Sequence, residues 1–391
     1  MGGICSALGV GFSVLVAQRL GARDELTARS ILRQSITFTL IFASVLGIIG
    51  IAIAPYLPIW LGGNAEINHD ATIYFFIFAA AIPIWELNYL MTAMLRAAGN
   101  MRVPSIVNIA ACIINVALNY IFIFVCQLGV LGAALGTFGS FFLSATVLTY
   151  YVFFRTRELS PLTEKGSFRL QRTTMHDALH IGIPVAIEHI AMCSAHIMST
   201  VIVAPLGTIA IAANSFGITI EGLCYMPGYG IGDAATTLVG QSVGAKRPAM
   251  QRSFAYITLS LGVAFMTVMG IIMYIGVPYL MPLMTPNTEV QQLTTMALRI
   301  EAFAEPAYAA SIVAYSVFVG AGDTLVPCLM NLGSIWLLRL PLALYLVSIF
   351  GLRGFWLAMA IELVFRGTIF MVRFLRKNKQ LRLSIHDAET L

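Results

Sequence analysis

Charge is what this sequence has least of. Asp, Glu, Lys and Arg supply 10% of its 391 residues, while hydrophobic types supply 59%. A soluble domain carries about 25% charged residues, so water cannot be the solvent for most of this surface. Cysteine is sparse too. Cys5, Cys112, Cys126, Cys193, Cys224 and Cys328 lie in or at the ends of apolar segments, with no C-x-x-C spacing. Buried structural thiols are the expected reading. Zinc-type clusters, a P-loop and a nucleophile elbow are all missing, which leaves enzymatic chemistry little to stand on. The basic residues are scattered among short loops, which argues against a nucleic-acid surface. The opening residues carry no charged n-region and no small-residue cleavage site, so no cleaved signal peptide is expected.

What is abundant is long apolar runs. Eleven hydrophobic segments are legible, at roughly 1–18, 30–57, 71–95, 105–126, 131–154, 178–203, 207–241, 252–282, 291–319, 325–349 and 353–375. Most exceed the ~18 residues that suggest a bilayer-spanning helix. The fold class is therefore an all-α polytopic membrane protein, with the lipid bilayer as its environment. The segment 207–241 is too long for one straight span, and Pro227 with its neighbouring glycines suggests a bent or broken helix. The polar stretch 155–176 reads as a flexible linker between an N-terminal lobe, 1–154, and a C-terminal lobe, 177–376. Residues 377–391 read as a polar tail. If the linker is cytoplasmic, 19 of the 23 Lys and Arg residues, Lys165 among them, collect on its face. Arg353 alone falls on the opposite face, and Arg299, Arg339 and Arg366 lie within segments. This asymmetry places the linker and the C-terminus in the cytoplasm, with the chain in the plasma or inner membrane.

The sequence also repeats itself. "LVAQRLGAR" at 15–23 answers to "LVGQSVGAK" at 238–246, and "LRAAGNMRVP" at 95–104 to "FVGAGDTLVP" at 318–327, both at an offset of 223. On that one register Gly47 pairs with Gly270, Pro83 with Pro306, Gly99 with Gly322, Pro104 with Pro327 and Asn108 with Asn331. Glycine and proline identities fix backbone geometry, so this is an internal duplication. The second copy has six segments, an even number, so both copies are expected to cross the membrane in the same sense, as parallel repeats. The partner of segment 178–203 would fall before Met1. The chain is therefore expected to start inside its first lobe, short of about one and a half helices by the repeat arithmetic, and to be impaired as a pump.

The doubled R-A-A-G-N and G-A-G-D-T loops and the doubled Q-x-x-G-A-[RK] turns resemble the multidrug and toxic compound extrusion family, across essentially the whole chain. The likeness implies two helical lobes of a twelve-helix fold, about eleven helices being present. It also implies a monomeric antiporter that exports drugs or other small molecules, cationic in character, in exchange for Na⁺ or H⁺. It calls for no cofactor beyond that coupling ion and no metal. The placement within the family is nearer the drug pumps of Firmicutes than the NorM branch. One alternative is a lipid-linked saccharide flippase of the same superfamily, although intramembrane acids outnumber arginines here. Another is a non-transporting truncated remnant.

Coupling needs ionisable groups at membrane depth, where an ionised carboxylate costs roughly 2.5–3.5 kcal/mol by insertion scales. Glu86, Glu188, Glu221, Asp233, Glu301, Glu305 and Glu362 are the carboxyls in these segments, and Glu188, Glu305, Glu301, Asp233 and Glu221 are the coupling candidates. Glu188 follows Pro184 by one turn, with His189 beside it. Glu301 and Glu305 share a helical face, and Pro306 frees backbone carbonyls beside them. The resemblance adds that an acid at this "E-P" pattern helps bind the coupling ion. Glu362 and Arg366 are spaced i, i+4 in the favourable order and read as a structural ion pair. Aromatic faces attract organic cations and methionine adapts to varied shapes. Trp85, Tyr89, Met192, His196, Phe216, Tyr225 and Tyr229 are therefore the candidate cavity lining.

Overall fold

The structure, a computed structural model, describes residues 2–60, 65–163 and 166–389. Lys165, counted above with the linker's cations, lies outside them. Within these residues the chain is helical and without strands. In order the helices are α1 (Gly2–Gly21), α2 (Glu25–Ile53), α3 (Leu57–Trp60), α4 (Ala65–Ala97), α5 (Arg102–Tyr120), α6 (Gly129–Tyr150) and α7 (Arg172–Val203). Then come α8 (Thr208–Gly244), α9 (Pro248–Met284), α10 (Thr288–Ala302), α11 (Glu305–Gly320), α12 (Leu325–Gly333), α13 (Leu340–Phe350) and α14 (Leu352–Glu389). Short π-helical turns extend α5 and α6 at Ile121–Val125 and Tyr151–Arg155, and Ser334–Arg339 joins α12 to α13. Among the described residues nine spans are long and apolar enough to cross a bilayer, and the bent pair α10–α11 makes a tenth. All eleven segments read from the sequence are helices, the first being the shortest apolar one.

The chain divides into two compact units, 1–186 and 187–391, and the division falls inside α7. Each unit has its own apolar core. Phe12, Leu32, Met91 and Leu148 are buried in the first, and Met266, Leu298, Trp356 and Leu363 in the second.

The repeated motifs turn out to be helix stops. Asn100 N–H bonds to Leu95 O at 2.9 Å, and Gly99 N–H to Arg96 O at 2.8 Å. In the second copy Asp323 N–H bonds to Phe318 O at 2.9 Å, and Gly322 N–H to Val319 O at 2.9 Å. These paired bonds are a Schellman stop, which needs a left-handed residue after the helix. Gly99 and Gly322 both supply it, at φ 83°. The Q-x-x-G-A-[RK] turns close in the same way, but with Arg23 at φ 60° and Lys246 at φ 54°. The register holds at the ends of elements: α1 and α8 end at 21 and 244, α4 and α11 at 97 and 320, and α5 and α12 begin at 102 and 325.

Packing repeats too. Pro83 and Pro306 have no N–H to offer the carbonyl four residues back, which belongs to Ala79 and Ala302. Glycines of the preceding helices approach these carbonyls. A Cβ on Gly47 would lie 2.9 Å from Ala79 O, and one on Gly270 would lie 3.0 Å from Ala302 O. The result differs between copies. Helix α4 runs unbroken through Pro83, whereas α10 and α11 are bent by 57° at Phe303 and Ala304.

Three expectations are corrected. Among the described cysteines Cys112, Cys126 and Cys193 are exposed, and only Cys224 and Cys328 are buried. Helix α8 is continuous through Pro227, so of the two forms expected there, bent or broken, the broken one is excluded. A proline removes one helical hydrogen bond and need not break a helix that neighbours pack against. The break in this half of the chain falls at 303–304 instead. The linker is not a free tether. Arg29 donates from Nε to Glu158 O at 3.2 Å and from Nη2 to Arg157 O at 3.0 Å, and Arg33 Nη2 donates to Pro161 O at 3.0 Å. Leu159 and Ser160 are buried, and α7 already begins at Arg172. The described part of the polar tail continues α14 as helix to Glu389. Lys377, near its start, bonds with Arg373 to Asp323 in the loop after α11.

Candidate functional site

Unit 187–391 gathers most of the intramembrane charge. Helix α14 contributes Glu362, fully buried, at 0% exposure. Arg339, at the end of the π-turn, donates to its Oε2 from Nη2 at 2.6 Å and from Nε at 2.9 Å. Ser334, at the start of that turn, donates to Oε1. Arg366 Nε lies 3.2 Å from Oε1, an ion pair by distance without hydrogen-bond alignment. The i, i+4 pair expected from sequence is thus present, with a second arginine added. Glu362 is fully engaged.

Glu301 and Glu305 are not. They stand on either side of the α10–α11 break, each 1% exposed, and none of their four carboxylate oxygens has a hydrogen-bond partner among the described residues. Glu221, on α8, is 8% exposed. The charges of Glu221, Arg339, Glu305 and Glu362 all bear on Glu301. Arg339 therefore faces several carboxylates but gives its hydrogen bonds to one. Among the described residues no three His, Cys, Asp or Glu side chains converge as a metal-ion site. The cluster shares a field and does not form a cage.

Aromatic rings close around these acids. Tyr225 and Tyr229, one turn apart on α8, meet edge to face at 5.6 Å, and Tyr225 meets Tyr308 of α11 the same way at 5.6 Å. Arg366 lies over the Tyr308 ring at 5.2 Å. Glu188, on α7, accepts from Asn331 Nδ2 at 2.5 Å, while its other oxygen has no hydrogen-bond partner among the described residues. Tyr315 stands in the same charge environment without alignment to donate. Arg366 is within electrostatic reach of both Glu188 and Glu221.

Of the sequence candidates, the structure brings Glu221, Glu301, Glu305, Tyr225 and Tyr229 together, with Glu188 adjoining through Arg366. His196 is exposed and feels the charge of Arg339, and Met192 is half-buried nearby along α7. Phe216 packs against the apolar core. Asp233 is exposed, 12 residues beyond Glu221 on α8, or about 18 Å at 1.5 Å per residue. In the first unit Trp85 stacks on Phe141 at 5.2 Å and meets Phe78 edge-on at 5.1 Å, and Tyr89 lies against Gly9. Sequence reasoning missed Tyr308, Tyr315 and Ser334 as members of this group. The two tyrosines were findable, because 305, 308, 312 and 315 follow one face of α11, although the break at 303–304 takes Glu301 off the face it was expected to share with Glu305.

These features define a multi-pass helical membrane protein built from a duplicated unit, with unpaired acids buried in its second half. The MatE family model matches the chain twice, over residues 1–121 and 184–345, and the chain belongs to that family of membrane transporters. The two matches end 224 positions apart (345 against 121), one off the register of the motifs. A probable multidrug resistance protein NorM of Thermotoga maritima is 30% identical over 94% of this chain and 80% of that relative. Another, from Neisseria meningitidis serogroup B, is 27% identical over 92% and 79%. Both bear the NorM name, which does not favour the placement outside that branch. The fold is that of solved MATE structures. The bent form of the Vibrio cholerae MATE transporter VcmN matches with a TM-score of 0.87 at 20% identity, over 97% of this chain and 86% of that one. A MOP superfamily transporter from Pyrococcus furiosus, described as having a binding pocket of reversed polarity and a suggested different function, matches at 0.90 and 20%, over 97% and 85%.

Proposed function

We propose that this chain is an antiporter that exports drugs or other small organic cations in exchange for Na⁺ or H⁺, with coupling carried by Glu305 and Glu301 and assisted by Glu221 and Glu188. One observation carries the reading: two carboxyls within the apolar segments are buried without a hydrogen bond among the described residues, while Arg339, whose charge bears on Glu301, is committed to Glu362. A buried carboxylate without a partner is too costly to persist. Each therefore holds a proton or a cation, and each changes state when that ion leaves. The Ala302 carbonyl, denied a proline N–H, offers a further oxygen ligand beside them. Tyr225, Tyr229 and Tyr308 supply faces for an organic cation, so substrate and coupling ion compete for one charged pocket. The names of the NorM relatives support efflux as the direction. The flippase alternative draws less support, because Arg339 and Arg366 are both engaged by Glu362.

The test is export of a cationic dye by the protein in liposomes under separately imposed Na⁺ and H⁺ gradients. One gradient should drive export, and Glu305→Gln and Glu301→Gln should each abolish the driven component while leaving the protein monodisperse. Gradient-driven export at the parental rate in both variants would sink the assignment. Export driven by neither gradient would sink antiport itself.

A further inference from the structure

Arg353 is the cation that the orientation rule does not explain. It is the second residue of α14, at the opposite end of the unit from the Lys246–Arg247 and Asp323 loops. It opens a groove of about 680 Å³ on the surface of unit 187–391, formed by α9, α10 and α14 around the α10–α11 break. Arg299, in the last turn of α10, lines the same groove. Its guanidinium sits over the Tyr274 ring at 5.0 Å, and its Nε reaches Tyr274 O at 3.5 Å. No carboxylate pairs with either arginine among the described residues, and no acidic side chain lines the groove.

The rest of the wall is apolar, floored by the buried Ala304 and Ala360 and flanked by exposed side chains. Leu357, Ile361 and Val364 follow Arg353 on one face of α14 at steps of four, four and three residues, and Phe303, at the break, is 76% exposed. From Arg353 to Val364 is 11 residues, or about 16 Å along the helix. That is half of a hydrocarbon core of roughly 30 Å, the depth of one leaflet. A cationic end at the helix terminus followed by one leaflet's depth of aliphatic wall matches a molecule with an anionic head and an acyl chain.

We propose that this groove binds an acidic phospholipid, its phosphate held by Arg353 and Arg299 and an acyl chain laid along Leu357, Ile361 and Val364 toward Phe303. Two guanidiniums without counterions favour an anionic headgroup over a zwitterionic one, at about 1 kcal/mol per basic residue near a membrane surface. A free phosphate would satisfy the arginines but leave the aliphatic wall uncovered. The lipid meets the chain at Phe303 and Ala304, immediately before Glu305, and so contacts the segment whose bend separates the two unpaired acids.

Native mass spectrometry of the purified protein supplied with phosphatidylglycerol or phosphatidylcholine tests this. The parent should retain phosphatidylglycerol preferentially, by roughly tenfold or more. Arg299→Gln/Arg353→Gln should lose that preference, while Arg299→Lys/Arg353→Lys should keep most of it. Ile361→Ser should weaken retention of both lipids. Inorganic phosphate alone, assayed by thermal shift, should not reproduce the stabilisation given by phosphatidylglycerol. Equal retention of the two lipids by the parent would overturn the proposal. So would undiminished phosphatidylglycerol preference in the Gln variant, or an equal shift from phosphate alone, which would reduce the site to an anion contact.

Discussion

Glu362 and Glu305 are both glutamates buried to within a percent of completeness, yet their surroundings assign them opposite tasks. Glu362 is held by two arginines and a serine, so it is a fixed charge. Removing Arg339 alone would leave it partly uncompensated, and breaking a buried pair from one side costs about 3–5 kcal/mol. Arg339→Gln should therefore express poorly and melt early. Arg339→Gln/Glu362→Gln/Arg366→Gln should recover part of that loss, because all three buried charges go together; a triple variant no more stable than the single one would show that the group does not act as a unit. Asp323 is a milder case, in a loop outside the spans. Burial pushes its carboxyl up, but the hydrogen bonds from Lys377 and Arg373, together with their charges, outweigh this and hold it below the ordinary carboxylate range. Its folded value is depressed, so its contribution is complete above the unfolded value of about 3.9 and is lost as pH falls through the lower folded one. At neutral pH Asp323→Asn should cost about 1 kcal/mol, since the pair is partly exposed. Thermal melts at neutral pH check both predictions.

At the scale of elements, the duplicated glycines make separable predictions. Alanine at Gly47 or Gly270 would press a methyl onto the carbonyl of Ala79 or Ala302, an overpacking cost of about 1–3 kcal/mol. Gly270→Ala would also press on Glu305, whose Cβ lies 3.2 Å from the new methyl. Both variants should melt earlier, but only Gly270→Ala should also slow ion-driven export; equal effects on transport would detach the break from coupling. Lys246→Gly should raise the melting temperature by relieving a left-handed non-glycine residue, worth about 1 kcal/mol. Much of this was legible in the sequence. The register, the helix stops and the count of apolar segments came from glycine, proline and hydropathy alone. The polar ends of α4, α7 and α14 did not, because helix outside the lipid carries no hydropathy signal. The acids stood out because charge is rare in these segments. Which of them was neutralised did not, because Arg339 meets Glu362 across 23 positions and through a π-turn that no periodicity announces.

For the molecule as a whole, the backbone is duplicated and the chemistry is not. Glu301, Glu305 and Tyr308 correspond on the register to Phe78, Ile82 and Trp85, so the first copy carries apolar groups where the second carries acids. Retained helix stops beside divergent side chains mean that geometry was kept while the acids were redistributed: the second half gathers a cluster, and the first buries Glu86, which answers on the register to Ala309. On this reading the coupling ion is carried by the second unit. Its direction of travel depends on orientation, which the distribution of cations predicts. With the linker in the cytoplasm, α7, α8 and α9 carry the chain across three times, so the α9–α10 loop lies outside. In a background with native cysteines replaced, Ser167→Cys, exposed in the linker, should react with an impermeant thiol reagent only after lysis, and Pro286→Cys should react in intact cells. Ser160→Cys should react slowly on either side, because Arg29 and Arg33 hold its segment against α2. Adding Arg29→Gln and Arg33→Gln should release that segment and speed the Ser160→Cys reaction after lysis to near the Ser167→Cys rate. Labelling of Ser167→Cys in intact cells would invert the topology. Fast labelling of Ser160→Cys with both arginines intact would show that the linker is a loose tether after all.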